Sequence, residues 1–206
     1  MNPLKKLFTT KSIALKKIAI FSILPAFFFC MSACAQKKET TSHERKLGWS
    51  DEFNYTGLPD STKWSYDTGG HGWGNNEKQY YTQKKTENAS VKNGVLRITA
   101  VKENFGGASY TSARLVSKNK GDWKYGRFEI RAKMPKGRGL WPAIWMLPTN
   151  WKYGNWPESG EIDIMEHVGY LPDSVFGTVH TGAYNHSIGT QKGERTFRPD
   201  LADTFH

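Results

Sequence analysis

The run GEIDIMEH at residues 160–167 constrains the fold of this chain more than any other stretch. Acidic and apolar residues alternate through Glu161, Ile162, Asp163 and Ile164, the period of a β-strand whose successive side chains point to opposite faces. Glu161 and Asp163 therefore share one face, and Ile162 and Ile164 are expected to point into a core. Unbroken alternation would next place Met165 beside the acids. A one-residue bulge near Met165 shifts the register and returns Glu166 to the acidic face, and bulges are favoured beside active sites because they re-aim side chains. The run thus predicts a bulged strand on which two glutamates flank a groove with an aspartate between them.

Paired carboxylates on one surface are what glycoside hydrolysis requires, one as proton donor to the leaving oxygen and one as nucleophile or base. Asp163 has a use in that chemistry, since a neighbouring negative charge favours protonation of Glu166, and Asp163 can also hydrogen-bond Glu161. With 19 acidic residues in 206, three acids at fixed offsets arise by chance roughly 0.2 times in such a chain, so the motif needs support from its surroundings. A solvated strand face and a calcium site, which also uses clustered carboxylates, are the competing readings.

Three neighbouring segments supply that support. LWPAIWML at 140–147 sets Trp141 and Trp145 four residues apart, on one face of a predicted strand, and indole rings offer flat apolar platforms with an N–H at the edge. GGHGWGNNE at 69–77 is a glycine-rich loop carrying Trp73, Asn75 and Glu77. Such loops present amide and carboxylate groups to sugar hydroxyls, and the Gly-Lys-Ser/Thr ending of a phosphate loop is absent. VFGTVHT at 175–181 reads as the strand after the acidic one, and pairing of the two would bring His180 near Glu166. Glu166, His167, His180 and His186 lack any zinc-ligand spacing.

Elsewhere from Leu47 onward the pattern is short strands and turns. Asn93-Gly94 between Val91 and the run Val95 to Ala100 is a two-residue hairpin signal. RFEIRAKM at 127–134 alternates strictly, predicting a strand with Phe128, Ile130, Ala132 and Met134 inward. No amphipathic helix of useful length and no internal repeat is present, which is the pattern of an all-β sandwich.

These blocks, together with YTSARL at 110–115, YGRFE at 125–129 and GTVHT at 177–181, resemble glycoside hydrolase family 16 and, within it, the bacterial laminarinase-like endo-β-1,3-glucanases. The resemblance runs from about Trp49 to the last residue. It implies a jelly-roll β-sandwich of the concanavalin A-like class and a retaining mechanism with Glu161 as nucleophile, Glu166 as acid/base and Asp163 assisting. It also implies sugar contacts from Trp141, Trp145, Asn75 and Arg114, with His180 close to the acid/base. Met165 fills the extra position that separates laminarinase-like, agarase-like and carrageenase-like members from the lichenase type. The segment around 73–82 is most similar to laminarinases, which favours β-1,3-linked or mixed-linkage glucan over algal galactans. A non-catalytic glucan-binding lectin on the same sandwich, a family 16 enzyme acting on agarose or carrageenan, and a transglycosylase are the alternatives. No cofactor is needed for catalysis, a structural calcium is implied as possible without assignable ligands, and the complete protein is expected to be a monomer.

Residues 1–33 are expected to be a lipoprotein signal peptide. Lys5, Lys6, Lys11, Lys16 and Lys17 surround and precede an apolar run over 18–29, shorter than a comfortable bilayer span. Met31-Ser32-Ala33 before Cys34 resembles a bacterial lipobox, which predicts lipid attachment at Cys34, a polar tether over 34–46, a catalytic domain over 47–206 and an extracytoplasmic, envelope-anchored protein. Setting aside the five leader lysines leaves 24 basic and 19 acidic residues, net +5 instead of +10. No basic block tracks phosphates, which disfavours nucleic acid as a partner. Sandwiches of this type run to about 200–250 residues, whereas 47–206 supplies 160. The sequence therefore predicts a C-terminally truncated domain, poorly soluble and weakly active by itself.

Overall fold

The structure, a computed structural model, describes residues 45–206, so the signal segment and the lipidation site at Cys34 lie outside the described residues. The described chain is all-β, with one 3₁₀ turn at His186–Ile188 and no α-helix among the described residues. Its strands are β1 (Ser65–Asp67), β2 (Gln79–Tyr81), β3 (Ala89–Lys92), β4 (Val95–Ile98), β5 (Val101–Phe105), β6 (Ala108–Ser112), β7 (Arg114–Val116), β8 (Ala143–Met146), β9 (Glu161–Glu166), β10 (Ser174–His180) and β11 (Lys192–Phe197). Leu47–His206 clusters as one unit.

The expected hairpin is present. β3 and β4 pair antiparallel, and Lys92 faces Val95 across a two-residue turn. Asn93 and Gly94 both take positive φ, 55° and 73°, the geometry that matches strand twist in a tight hairpin. Nothing lies within 4 Å of where a Gly94 side chain would begin, so the cost of a substitution there is conformational and not steric. Gly94→Val is expected to lower stability by roughly 1–2 kcal/mol through the left-handed backbone alone, read as a lower urea midpoint at unchanged slope.

The site is built on the four-stranded antiparallel sheet ordered β11-β10-β9-β8. The register between β8 and β9 runs Ile144 to Met165 and then Trp145 to Asp163, so Ile164 is an extra residue. On the other side Phe176 faces Glu166 and Thr178 faces Asp163, again with one residue more on β9. The predicted bulge is therefore real and sits at Ile164–Met165. Directly opposed residues of an antiparallel pair share a face, so the acids lie with Trp145, Thr178 and His180.

Two sequence expectations fail. Ile162 is not in a core but is 48% exposed, as is its partner Val179 at 42%, while Asp163 on the acidic face is only 4% exposed. No described element covers the Ile162 face, and alternation predicts which residues share a face without saying which face is covered. Residues 127–134 form no strand. The segment's cross-chain backbone bonds are limited to Ala132 with His206 and Met134 with Leu201, and extended backbone without a ladder partner is not a strand. Met134 is buried, but Phe128 and Ile130 are exposed. β11, at the edge of the site sheet, is exposed throughout and carries Lys192, Glu194 and Arg195, charges of the kind that discourage edge-to-edge association.

Candidate active site

Glu161 begins β9 and Glu166 ends it, and the bulge lets both reach the face on which Asp163 is buried. Each glutamate receives an indole N–H. Trp156 Nε1 donates to Glu161 Oε2 at 2.5 Å, and Trp141 Nε1 donates to Glu166 Oε1 at 2.8 Å. The two donors differ in setting. Trp141 is 63% exposed and precedes β8, so it does not share a strand with Trp145 as the sequence predicts, whereas Trp156 is half-buried among other rings.

Asp163 is the group whose protonation the fold changes most. Burial, followed by the charges of Glu161 and Glu166 and a hydrogen bond with Glu161, pushes its carboxyl up to about 8. Desolvation and like charge both disfavour a further anion. At neutral pH Asp163 is protonated, and the hydrogen bond with Glu161 is one that Asp163 donates.

His180 is also not where the sequence placed it. It faces Glu161 across the β9–β10 ladder, and Phe176 faces Glu166. Its Nε2 lies 3.2 Å from Asp163 Oδ2, while its buried Nδ1 has no hydrogen-bond partner. The tautomer that fits has the hydrogen on Nε2, donated to Asp163, and leaves only a lone pair at Nδ1, since a buried unpaired N–H would be costly. The shift from Glu166 to Glu161, five residues along β9 against four along β10 because of the bulge, follows from antiparallel pairing: the end of β10 meets the start of β9.

Beyond the acids, the Arg114 guanidinium lies 4.5 Å from the ring centres of both Trp73 and Trp145, between the two indoles. Its Nε is 3.1 Å from Asp67 Oδ2. Trp145 faces Asp163 in the ladder, so this stack adjoins the acids and brings the glycine-rich loop to them. Trp73 Nε1 is tied to Gly69 O at 3.1 Å, and Glu77 accepts from Gln79 Nε2 at 2.6 Å. Burial, then the adjoining Glu77, raises the Tyr81 hydroxyl above its usual range. Asn75 is exposed on the turn, held by its backbone N–H to Gly72 O at 2.9 Å. Arg114→Lys is expected to lower stability by about 1 kcal/mol, because an ammonium cannot stack flat between two indoles; chemical denaturation measures it.

Trp156 is the residue sequence reasoning missed. Its spacing to Glu161 follows no strand or helix period, because a turn over residues 157–160 separates them. Asp67, the partner of Arg114, was equally unmarked. As to metals, Glu161, Asp163 and His180 each offer a donor atom within 4.8 Å of the others. Three donors, one of them an imidazole nitrogen, fall short of the six to eight oxygens that calcium takes.

The family profile Glycosyl hydrolases family 16 matches residues 76–206. The chain is 55% identical over 186 residues to a β-glucanase of Rhodothermus marinus, covering 89% of this chain and 65% of that protein. The structure of the laminarinase from Rhodothermus marinus superposes with a TM-score of 0.77 at 61% identity, covering 78% of this chain and 65% of that one. A variant of SCLam, a non-specific endo-β-1,3(4)-glucanase with 1,3-β-D-cellobiosyl-glucose at its active site, superposes with a TM-score of 0.76 at 47% identity, covering 79% and 66%. The chain thus spans just under two thirds of the length of these relatives, and the shared fold is the expected jelly-roll sandwich.

Proposed function

Because this chain belongs to glycosyl hydrolases family 16, we propose that it is a retaining, endo-acting hydrolase of β-1,3-glucan or mixed-linkage β-glucan. The observation that carries the reading is the pair of carboxylates, Glu161 and Glu166, returned to one face by the bulge with a protonated Asp163 between them. The activities printed for the Rhodothermus marinus protein and for SCLam support the substrate class.

In this reading Glu166 gives its proton to the glycosidic oxygen while Glu161 Oε attacks the anomeric carbon. The bond to the leaving sugar breaks and a glycosyl ester on Glu161 forms. Glu166, now ionised, takes a proton from the water that attacks the same carbon, and Glu161 leaves as carboxylate, so configuration is retained. The proton of Asp163 bonds the Glu161 carboxylate and stabilises it as a leaving group. Trp156 orients Glu161, and Trp141, Trp145, Asn75 and the stacked Arg114 are sugar contacts.

The same proposal includes lipid attachment at Cys34 behind a cleaved leader over 1–33, a tether over 34–46, a catalytic domain over 47–206 and an extracytoplasmic, monomeric, membrane-tethered enzyme; the support is the leader's residue pattern. Release of reducing ends from laminarin, lichenan, agarose and carrageenan tests the activity. Cleavage of laminarin with the β-anomer appearing first in proton spectra is the expected result. Glucan binding without turnover would point instead to a lectin.

A further inference from the structure

His186 stands outside the carboxylate site, yet its ring touches both side chains that hold it. The imidazole stacks on Trp156, centroids 4.7 Å apart and planes 34° apart. It also meets the His180 ring edge to face, 5.3 Å away at 86°. Trp156 and His180 approach each other at 5.9 Å, so three rings form a cluster with His186 as its outer member. Trp156 donates to Glu161 and His180 contacts Asp163. The exposed His186 ring thus packs against both of the side chains that contact the acids.

The loop carrying His186 is itself held by a buried amide. Asn185 is 3% exposed, and its Nδ2 donates to Thr181 O at 3.1 Å and Gly182 O at 3.3 Å. Its Oδ1 accepts from Ser187 N at 3.1 Å, capping the 3₁₀ turn. Thr190 Oγ1 accepts from Asn185 N at 3.2 Å and Thr190 N donates to Asn185 O at 3.0 Å. Gly189, at φ 67°, ends the turn. With every polar atom of Asn185 bonded, the next residue leaves the turn in one direction, over Trp156.

We propose that His186 is a positioning residue for the Glu161–Asp163 pair, acting through Trp156 and His180. The assignment rests on the proposed hydrolase reading. Removing the ring frees the indole to move by a fraction of a side-chain width, which misplaces the N–H on Glu161.

The test is His186→Ala beside His186→Phe, which keeps a flat ring without polar atoms. On laminarin, His186→Ala is expected to lower kcat about tenfold, the effect of a small misplacement of a reacting group, with KM little changed. His186→Phe is expected to restore most of it. In a Trp156→Phe background His186→Ala should add a smaller loss, the part passed through His180, since the N–H it positions on Glu161 is gone. Equal loss of kcat or a raised KM in both variants would mean that the imidazole contacts sugar directly, and would overturn the proposal, as would unchanged kcat in His186→Ala. A second readout is independent of turnover. The Trp156 indole N–H, assigned by its loss in Trp156→Phe, should exchange with solvent faster in His186→Ala and not in His186→Phe. If the wild type hydrolyses no glucan while the exchange pattern holds, the hydrolase reading fails and the positioning geometry stands. Unchanged exchange in His186→Ala sinks the positioning itself.

Discussion

Glu161→Ala is expected to reduce kcat on β-1,3-glucan by on the order of 10⁴-fold or more, the size of loss seen when a covalent nucleophile is removed. The structure gives the loss a stereochemical signature. Removing the carboxylate leaves a space on the face from which the anomeric carbon is attacked, and leaves Trp156 without its acceptor. Added azide fits that space and displaces an activated leaving group once, so the product is the glycosyl azide of inverted configuration. Glu166→Ala behaves differently. The glycosyl ester on Glu161 still forms from an activated substrate, azide then attacks it without needing a base, and the double displacement gives retained configuration. Product stereochemistry therefore assigns the two roles separately. Turnover by Glu161→Ala without azide at the wild-type rate would remove Glu161 from the mechanism, and identical azide products from both variants would undo the division of labour.

Stability and activity are both expected to depend on the Asp163 proton. Its carboxyl ordinarily titrates at 3.8 and in the fold titrates at about 8. Between those values the native state holds a proton that the unfolded chain has released. The slope of unfolding free energy with pH follows protons bound in the unfolded state minus those bound in the native state, here negative. This contribution is full below pH 3.8, declines as pH rises towards about 8, and is gone above that. Asp163→Asn is neutral at every pH and should flatten the decline, which urea midpoints across this window measure. The activity consequence has the same origin. Above about pH 8 the ionised Asp163 no longer donates to Glu161 and repels it, so departure of Glu161 from the glycosyl ester slows. An alkaline limb near that pH in the wild type, absent in Asp163→Asn, is the expected profile. A limb at the same place in both would put the titration on another group.

Much of the site was legible in the order of residues. Alternation around Asp163, together with the misplaced Glu166, demanded a bulge, and the ladder places it at Ile164–Met165. Asn93-Gly94 marked its hairpin because few residue pairs accept two consecutive positive φ values. Arg114, Trp73 and Trp145 were each marked, but their stacking was not, because three distant segments meet there. The strand of His180 is legible in the order of residues, but its ladder partner is not: antiparallel pairing sets the end of β10 against the start of β9, so His180 faces Glu161.

The sequence by itself determined what depends on a few adjacent residues: the strand period, the shared face of Glu161 and Asp163, the need for an extra residue before Glu166, and the all-β class. Those follow from backbone sterics and side-chain alternation, which are local. Tertiary structure alone decided that Asp163 would be buried while Ile162 stayed open, that residues 127–134 would lack a ladder partner, and that Trp156 and His180 would meet the carboxylates with His186 packed behind them. Burial, and with it the proton on Asp163, is a property of what lies opposite a residue, and that is settled by cross-strand register and by loops joining positions far apart in the chain.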